Sequence, residues 1–155
     1  GGSSAVLVGL IKIYETVFNK KLSNSEIVTI SSDAVVMYNQ GRHRASGFGE
    51  IIERKEDVDN EYLLIFPKQR ALSENIYEEF DRIKEVEKSE NDFIQLVRDK
   101  ITEVQEILNI AQSNEVEVRM SGSGSCLYTL NNKSNRKIFS KYKLRTVRAL
   151  GGGNG

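Results

Sequence analysis

The sequence predicts an α+β fold, an antiparallel sheet with helices on one face in a ferredoxin-like α/β sandwich. Three observations predict it. From Glu61 onward the pattern reads strand, helix, helix, strand, strand, helix, strand, an order that suits such a sheet. The run Tyr62 to Phe66 reads as a buried strand that Pro67 stops, and a final strand alternates at Leu144, Val147 and Leu150. Between them the longest helical stripe, Phe93, Ile94, Val97, Ile101, Val104, Ile107, Leu108 and Ile110, predicts one helix from about 91 to 112. At 155 residues the chain has room for a real core in one domain, or one and a half small ones.

The elements follow in order. From Ala5 to Phe18, residues Val6, Leu7, Leu10, Ile11, Ile13, Tyr14, Val17 and Phe18 recur at helical spacing and predict a buried helix. Ser23 and Glu26 match a capping box and open a short helix through Ile30. Ser31-Ser32-Asp33 is a second cap-like start, leading into an apolar turn, and a helix N-terminus stabilises a negative charge at Asp33. Gly41 to Glu53 reads as two short strands joined by a glycine turn, and the acidic run 53 to 61 as a solvated loop. Ser73 caps a helix through Phe80, a charged link runs from Lys84 to Glu90, and Asn131 to Tyr142 forms the last helix.

Composition removes several function classes. The 22 Lys and Arg balance 22 Asp and Glu, so no overall field draws the chain to nucleic acid or to an anionic membrane. Cys126 is the one cysteine and His43 the one histidine, which argues against a disulfide, a thiolate cluster or a His-based zinc site. No apolar run is long enough to span a bilayer and no signal-peptide pattern opens the chain, so a reducing, cytosol-like compartment is expected.

Met120-Ser121-Gly122-Ser123-Gly124-Ser125-Cys126 lies between two strand-like runs. Alternating glycines and serines free the backbone so that N–H groups can converge on an anion, and the same residues build a plain hairpin turn. Gly1-Gly2-Ser3-Ser4 ahead of an apolar helix also offers N–H groups to a phosphate. Both it and the tail 151–155 equally have linker composition.

Together these stretches resemble the GHMP kinase superfamily. The likeness is greatest to its branch acting on 4-diphosphocytidyl-2-C-methyl-D-erythritol in non-mevalonate isoprenoid synthesis. Ser32-Asp33 is similar to the family's S/A-D segment, and Gly41-Arg42-His43-Arg44-Ala45-Ser46-Gly47-Phe48-Gly49-Glu50-Ile51-Ile52 to its G-x-x-A…G-x-G-E-x-L run. Pro67, Ser73 and Tyr77 resemble its P…S/T…Y/F segment, and Arg119 to Tyr128 its third motif. The spacing holds from Ala5 to Leu150. Departures are the passage from Ser4 directly to Ala5-Val6-Leu7, shorter than the usual opening, and Ala34-Val35 where Val-Pro is usual.

The resemblance implies a GHMP-kinase-like fold. Residues 1–60 would be the remnant of the N-terminal domain, 61–150 the C-terminal domain, and 151–155 a flexible tail or linker, with a further N-terminal lobe missing before Gly1. It implies ATP and Mg²⁺ as cofactors and the 2-hydroxyl of the cytidine diphosphate-linked methylerythritol as acceptor, in the cytoplasm or a plastid stroma. Asp33 would be catalytic, accepting or orienting the hydroxyl proton. Gly1, Gly2, Ser3 and Ser4, with Ser121, Gly122, Ser123 and Gly124, would support the phosphates. Ser73 and Tyr77 would bind substrate, with Tyr77 stacking on the cytosine. The residues alone leave other roles open: helix cap for Asp33 and Ser73, core for Tyr77 and turn for the Ser-Gly loop. Cys126 reads as core. A non-catalytic binding or structural fragment, or a GHMP kinase with another acceptor, are the competing functional readings.

Overall fold

The computed structural model describes residues 2–69, 71, 73–82 and 91–149, without the side chains of Ser73 and Glu74. Gly1, the linking run 84–90 and the tail 151–155 lie outside the described residues. The chain divides into two compact units, one reaching to Asp59 and the other running Asn60–Ala149.

The first unit holds α1 (Gly2–Phe18), α2 (Asn24–Val28), α3 (Ser32–Asn39), β1 (His43–Ser46) and β2 (Ile51–Arg54). Ser23 caps α2 as its sequence predicts: its hydroxyl accepts from the Glu26 N–H at 3.2 Å, and its own N–H donates to Glu26 Oε2 at 2.8 Å. The core is Val8, Ile11, Ile27, Ala34 and Val35, with Leu7, Leu22, Val28, Tyr38 and Ile52 packed around it. The predicted burial of α1 is not what forms. Val8 and Ile11 are its buried apolar residues, whereas Val6, Leu10, Ile13, Val17 and Phe18 are each more than half exposed. The 3.6-residue period is real, but periodicity identifies an apolar stripe without saying how much of it neighbours cover.

The second unit holds β3 (Glu61–Phe66), α4 (Ser73–Phe80), α5 (Ile94–Lys100), α6 (Thr102–Ser113), β4 (Arg119–Met120), β5 (Leu127–Leu130), α7 (Lys133–Ile138) and β6 (Lys143–Arg148). Its sheet runs β4-β5-β3-β6 with every neighbour antiparallel. In chain order within the unit that is second, third, first, fourth, the ferredoxin-like arrangement the element order predicts. Leu63 and Ile65 on β3 are fully buried and lie opposite Thr129 and Leu127 on one side and Thr146 and Leu144 on the other. The alternation puts Tyr62, Leu64 and Phe66 on the opposite face, where Tyr62 meets Tyr128 edge-on at 5.8 Å.

The expected single helix from 91 to 112 is two. Ile101 between α5 and α6 is extended, with φ −117° and ψ 100°. Ile101 is itself buried and joins Val97, Val104, Ile107 and Ala111 in one core, so the apolar stripe continues through the bend. No proline or glycine marks the break. The last helix is likewise shorter than expected. Asn132 caps α7 by accepting from the Asn135 N–H at 2.7 Å, and the buried Asn135 amide donates to the Leu130 carbonyl at 2.8 Å.

Two measurements check this packing. Ile107→Ala deletes a fully buried side chain and is expected to cost about 2–5 kcal/mol. Urea unfolding followed by far-UV circular dichroism should show a lower midpoint with unchanged slope; a loss under about 1 kcal/mol contradicts the core described. In the first unit, Glu15 Oε1 accepts from the Tyr38 hydroxyl at 2.7 Å and from the Leu22 N–H at 2.8 Å. These bonds, Tyr38 first, hold the Glu15 carboxyl below its ordinary value. A depressed folded pKa gives stability that is present above the ordinary carboxylate range and lost as pH falls through the folded value. Tyr38→Phe should therefore lower the melting temperature at neutral pH and differ less from the parent below about pH 4. An equal difference at both pH values refutes the linkage.

Candidate functional site

In the first unit Asp33 is the second residue of α3. Ser31 stands at the N-cap, and its side chain makes no capping bond. The Asp33 carboxylate is exposed and has no hydrogen-bond or ion-pair partner among the described residues. It lines a cavity of about 540 Å³ with Ser4, Ser32, Val36, Met37 and, from the end of β1 and the β1–β2 turn, Ala45, Ser46, Gly47 and Gly49. The predicted phosphate-side residues Gly2, Ser3 and Ser4 form the first turn of α1, three residues before the helix start expected at Ala5. The N–H groups of a first turn have no carbonyl four residues back to bond, so they remain donors. Ser4 is buried and brought to the same cavity as Asp33.

The β1–β2 turn is held at two points. Gly49 N–H donates to the Ser46 carbonyl at 3.1 Å, and the Phe48 N–H donates to Glu50 Oε2 at 2.8 Å. Gly49 has φ +110°, and a Cβ built on it would sit 3.1 Å from Ser32 Cβ and 3.3 Å from the Ser32 carbonyl oxygen. Only glycine lets the turn approach the first turn of α3 this closely. The sequence shows the glycines; their contact with Ser32, seventeen residues earlier, it does not.

In the second unit the Ser-Gly loop joins β4 to β5, and its carbonyls are tied down. Asn91 Nδ2 donates to the carbonyls of Met120 at 3.0 Å and Gly122 at 2.9 Å. The Ser121 N–H donates to the Cys126 carbonyl at 2.9 Å, and the Gly124 N–H to the Ser121 carbonyl at 3.1 Å. The Ser125 hydroxyl is committed to the Gln69 carbonyl at 2.9 Å. A Cβ on Gly124, at φ +85°, would lie 2.9 Å from Met120 Sδ and 3.2 Å from Val97 Cγ1, so this glycine presses the loop onto α5. Ser121 and Gly122 remain exposed, Ser123 half-buried. Asn91 is the loop-holding residue that sequence reading misses. Its own N-terminal signal, an Asn side chain accepting from the Phe93 N–H at 3.1 Å, is a local turn device and carries no trace of the distant loop.

Tyr77 on α4 is 51% exposed and meets Phe93 edge-on at 5.1 Å. Through Phe93, two residues past Asn91, it is linked to the Ser-Gly loop by contact and chain. Ser73 is the first residue of α4, and its side chain lies outside the described residues. Burial raises the Cys126 thiol above its ordinary value, against a partly opposing bond with the Ile65 backbone, which suits a packing role. Asp33 and the Ser-Gly loop belong to different units. Among the described residues no three or more His, Cys, Asp or Glu gather as a metal site, and no helix is long and apolar enough to cross a membrane.

Comparison with known proteins places this geometry. No curated protein matches the chain in sequence. The crystal structure of 4-(cytidine 5'-diphospho)-2C-methyl-D-erythritol kinase is similar to it with a TM-score of 0.62 over 99% of this chain, at 16% identity. The chain spans 66% of the length of that protein. The family profile described as GHMP kinases C terminal matches residues 42–143. The chain belongs to the GHMP kinase family.

Proposed function

We propose that the chain carries acceptor-side and phosphate-side elements of an ATP-dependent small-molecule kinase. The acceptor is the 2-hydroxyl of 4-diphosphocytidyl-2-C-methyl-D-erythritol, and the product enters isoprenoid precursor synthesis. The observation that carries this reading is the unpartnered Asp33 carboxylate, which lines a cavity with Ser4 of the first turn of α1. Membership of a kinase family and likeness to a kinase that acts on this compound class support it.

The chemistry follows from the residues. The acceptor oxygen attacks the γ-phosphorus, the bond to the β–γ bridging oxygen breaks, ADP leaves and the hydroxyl proton passes to Asp33. An exposed, unpartnered carboxylate is free to accept it. The free N–H groups of the first turn of α1 suit the negative phosphates, and in the second unit the exposed Gly122 backbone N–H, next to the Ser121 N–H that is bonded to the Cys126 carbonyl, offers a further donor. Ser73 and Tyr77 are assigned to the acceptor, with the open half of Tyr77 stacking on cytosine. Mg²⁺ takes few protein ligands and is held mostly by phosphates and water. A cavity with one carboxylate, Asp33, and the Ser4 and Ser32 hydroxyls fits an ion delivered in that way. When bound it would neutralise phosphate charge.

Two outcomes test the reading. ADP release measured with ATP and the cytidyl acceptor should fall about 10²–10⁴-fold in Asp33→Asn. Turnover that ignores this substitution sinks the assignment. Absence of turnover at high protein concentration favours a non-catalytic fragment, and turnover only with another alcohol in a substrate panel reassigns the acceptor. Gly49→Ala, which drives a methyl group against Ser32, should lower kcat by up to about 10²-fold through displacement of Asp33 while leaving the KM for ATP near its original value. An unchanged kcat in a folded variant contradicts the buttress.

A further inference from the structure

A second cavity, of about 820 Å³, lies wholly in the second unit, where β3 ends, β6 begins and the Ser-Gly loop enters β5. Its charge is not balanced. Lys68, Lys141, Lys143 and Arg145 line it against Glu103 and Glu106. Glu106 is taken by Lys141 at 3.1 Å, and Glu103 accepts from the Lys68 backbone N–H. That leaves the side chains of Lys68, Lys143 and Arg145 with no ion pair or hydrogen bond among the described residues. Elsewhere Arg54, Lys55, Lys100 and Arg119 each stand against a carboxylate. In a chain whose charges cancel overall, this is a local excess of positive charge.

Lys143 and Arg145 are two residues apart on one strand, so they point to the same face, roughly 7 Å apart along β6. That is within the screening length of about 8 Å at physiological salt, so the two cations repel each other. An anion between them removes the repulsion and gains two charge-assisted bonds. On that face the apolar lining is Phe66, directly opposite Lys143 across the β3–β6 pair, with Pro67 at the end of the strand, whereas Leu144 between the two cations turns to the core side with Ala71 and Tyr142. The volume falls within the roughly 300–1,000 Å³ of small-molecule sites and far exceeds what a phosphate fills. Gly124 and Ser125 complete the lining at the end of the loop; the Ser125 hydroxyl is already bonded, so the loop adds shape more than donors.

From the unpaired Lys143 and Arg145 in this amphipathic cavity, we infer a binding site for a phosphorylated small molecule, with these two side chains on its phosphates and the apolar wall against its organic part. The site stands on its own geometry and does not rest on the kinase reading of Asp33. Calorimetric titration of the whole chain with sodium pyrophosphate, and separately with cytidine 5'-diphosphate, tests it. Saturable binding of pyrophosphate is expected, weakened about tenfold or more in the double variant Lys143→Ala, Arg145→Ala and retained in Lys143→Arg, Arg145→Lys. Both residues are exposed, and an unchanged melting temperature confirms that the double variant is folded. Tighter binding of the nucleotide than of pyrophosphate, with the gain lost in the double variant, shows that the apolar wall is used; a gain that survives in the double variant overturns the role of that wall. Absence of saturable binding of either compound, or equal affinity in the double variant, overturns the site.

Discussion

The pairing of β3 on both sides is the constraint from which the second unit follows. β3 bonds to β5 along one edge and to β6 along the other, and its Leu63 and Ile65 side chains are removed from water entirely. A slip of one residue would turn both to the opposite face and bring Leu64 and Tyr62 inward, so the register is strongly specified. That register fixes what meets at one end of the sheet. Because Ile65 stands opposite Leu127 and Leu144, Pro67, the end of the Ser-Gly loop and the start of β6 come together around one cavity. Position in the cavity is thus a consequence of hydrophobic burial some residues away.

In the first unit the corresponding constraint is a close approach of backbone. Gly49 allows the β1–β2 turn to rest on Ser32, and the core of Ile27, Ala34 and Val35 holds α3 beneath it. Asp33 is placed from both sides while its own carboxylate takes no part in holding the structure. Such a residue is available to a ligand, because the unit is held by apolar neighbours and by the Glu15–Tyr38 bond. A carboxylate tied into a salt bridge would be a poorer proton acceptor.

Local chemistry was legible in the sequence; coverage and distance were not. The Ser23–Glu26 capping box and the paired strands around Gly47–Gly49 rest on interactions within a few residues and appear as read, and the four strands after Glu61 appear in the order read, with one more helix among them. The bend at Ile101 escaped because the residue is apolar and buried in either conformation, so a helical stripe passes through it unbroken. The exposure of Val6, Leu10, Ile13 and Val17 escaped because period reports which residues share a face and says nothing of what lies against it. Asp33 and the Ser-Gly loop, each in its own unit, carry recognisable patterns, whereas Asn91 and the Lys143/Arg145 pair acquire meaning only when residues about 20 to 80 positions apart converge.

The manner in which the Ser-Gly loop is held bears on what it can do. A glycine-rich loop that was merely flexible would lose conformational entropy on meeting a charged ligand, and much of its electrostatic advantage would be lost in reorganising. Here the order is supplied beforehand by the protein. Asn91 binds two of the loop carbonyls, Gly124 is seated against Met120 and Val97, and Ser125 is anchored to the Gln69 carbonyl. These contacts draw on carbonyl oxygens and on the far end of the loop; at the near end the Ser121 N–H is bonded to the Cys126 carbonyl, and Ser121 and Gly122 stay exposed. A backbone whose acceptors are occupied and whose conformation is fixed presents its remaining N–H dipoles without further cost. The two glycines are therefore better understood as permitting one rigid shape than as conferring mobility, the property the proposed phosphate-side role of the loop would draw on.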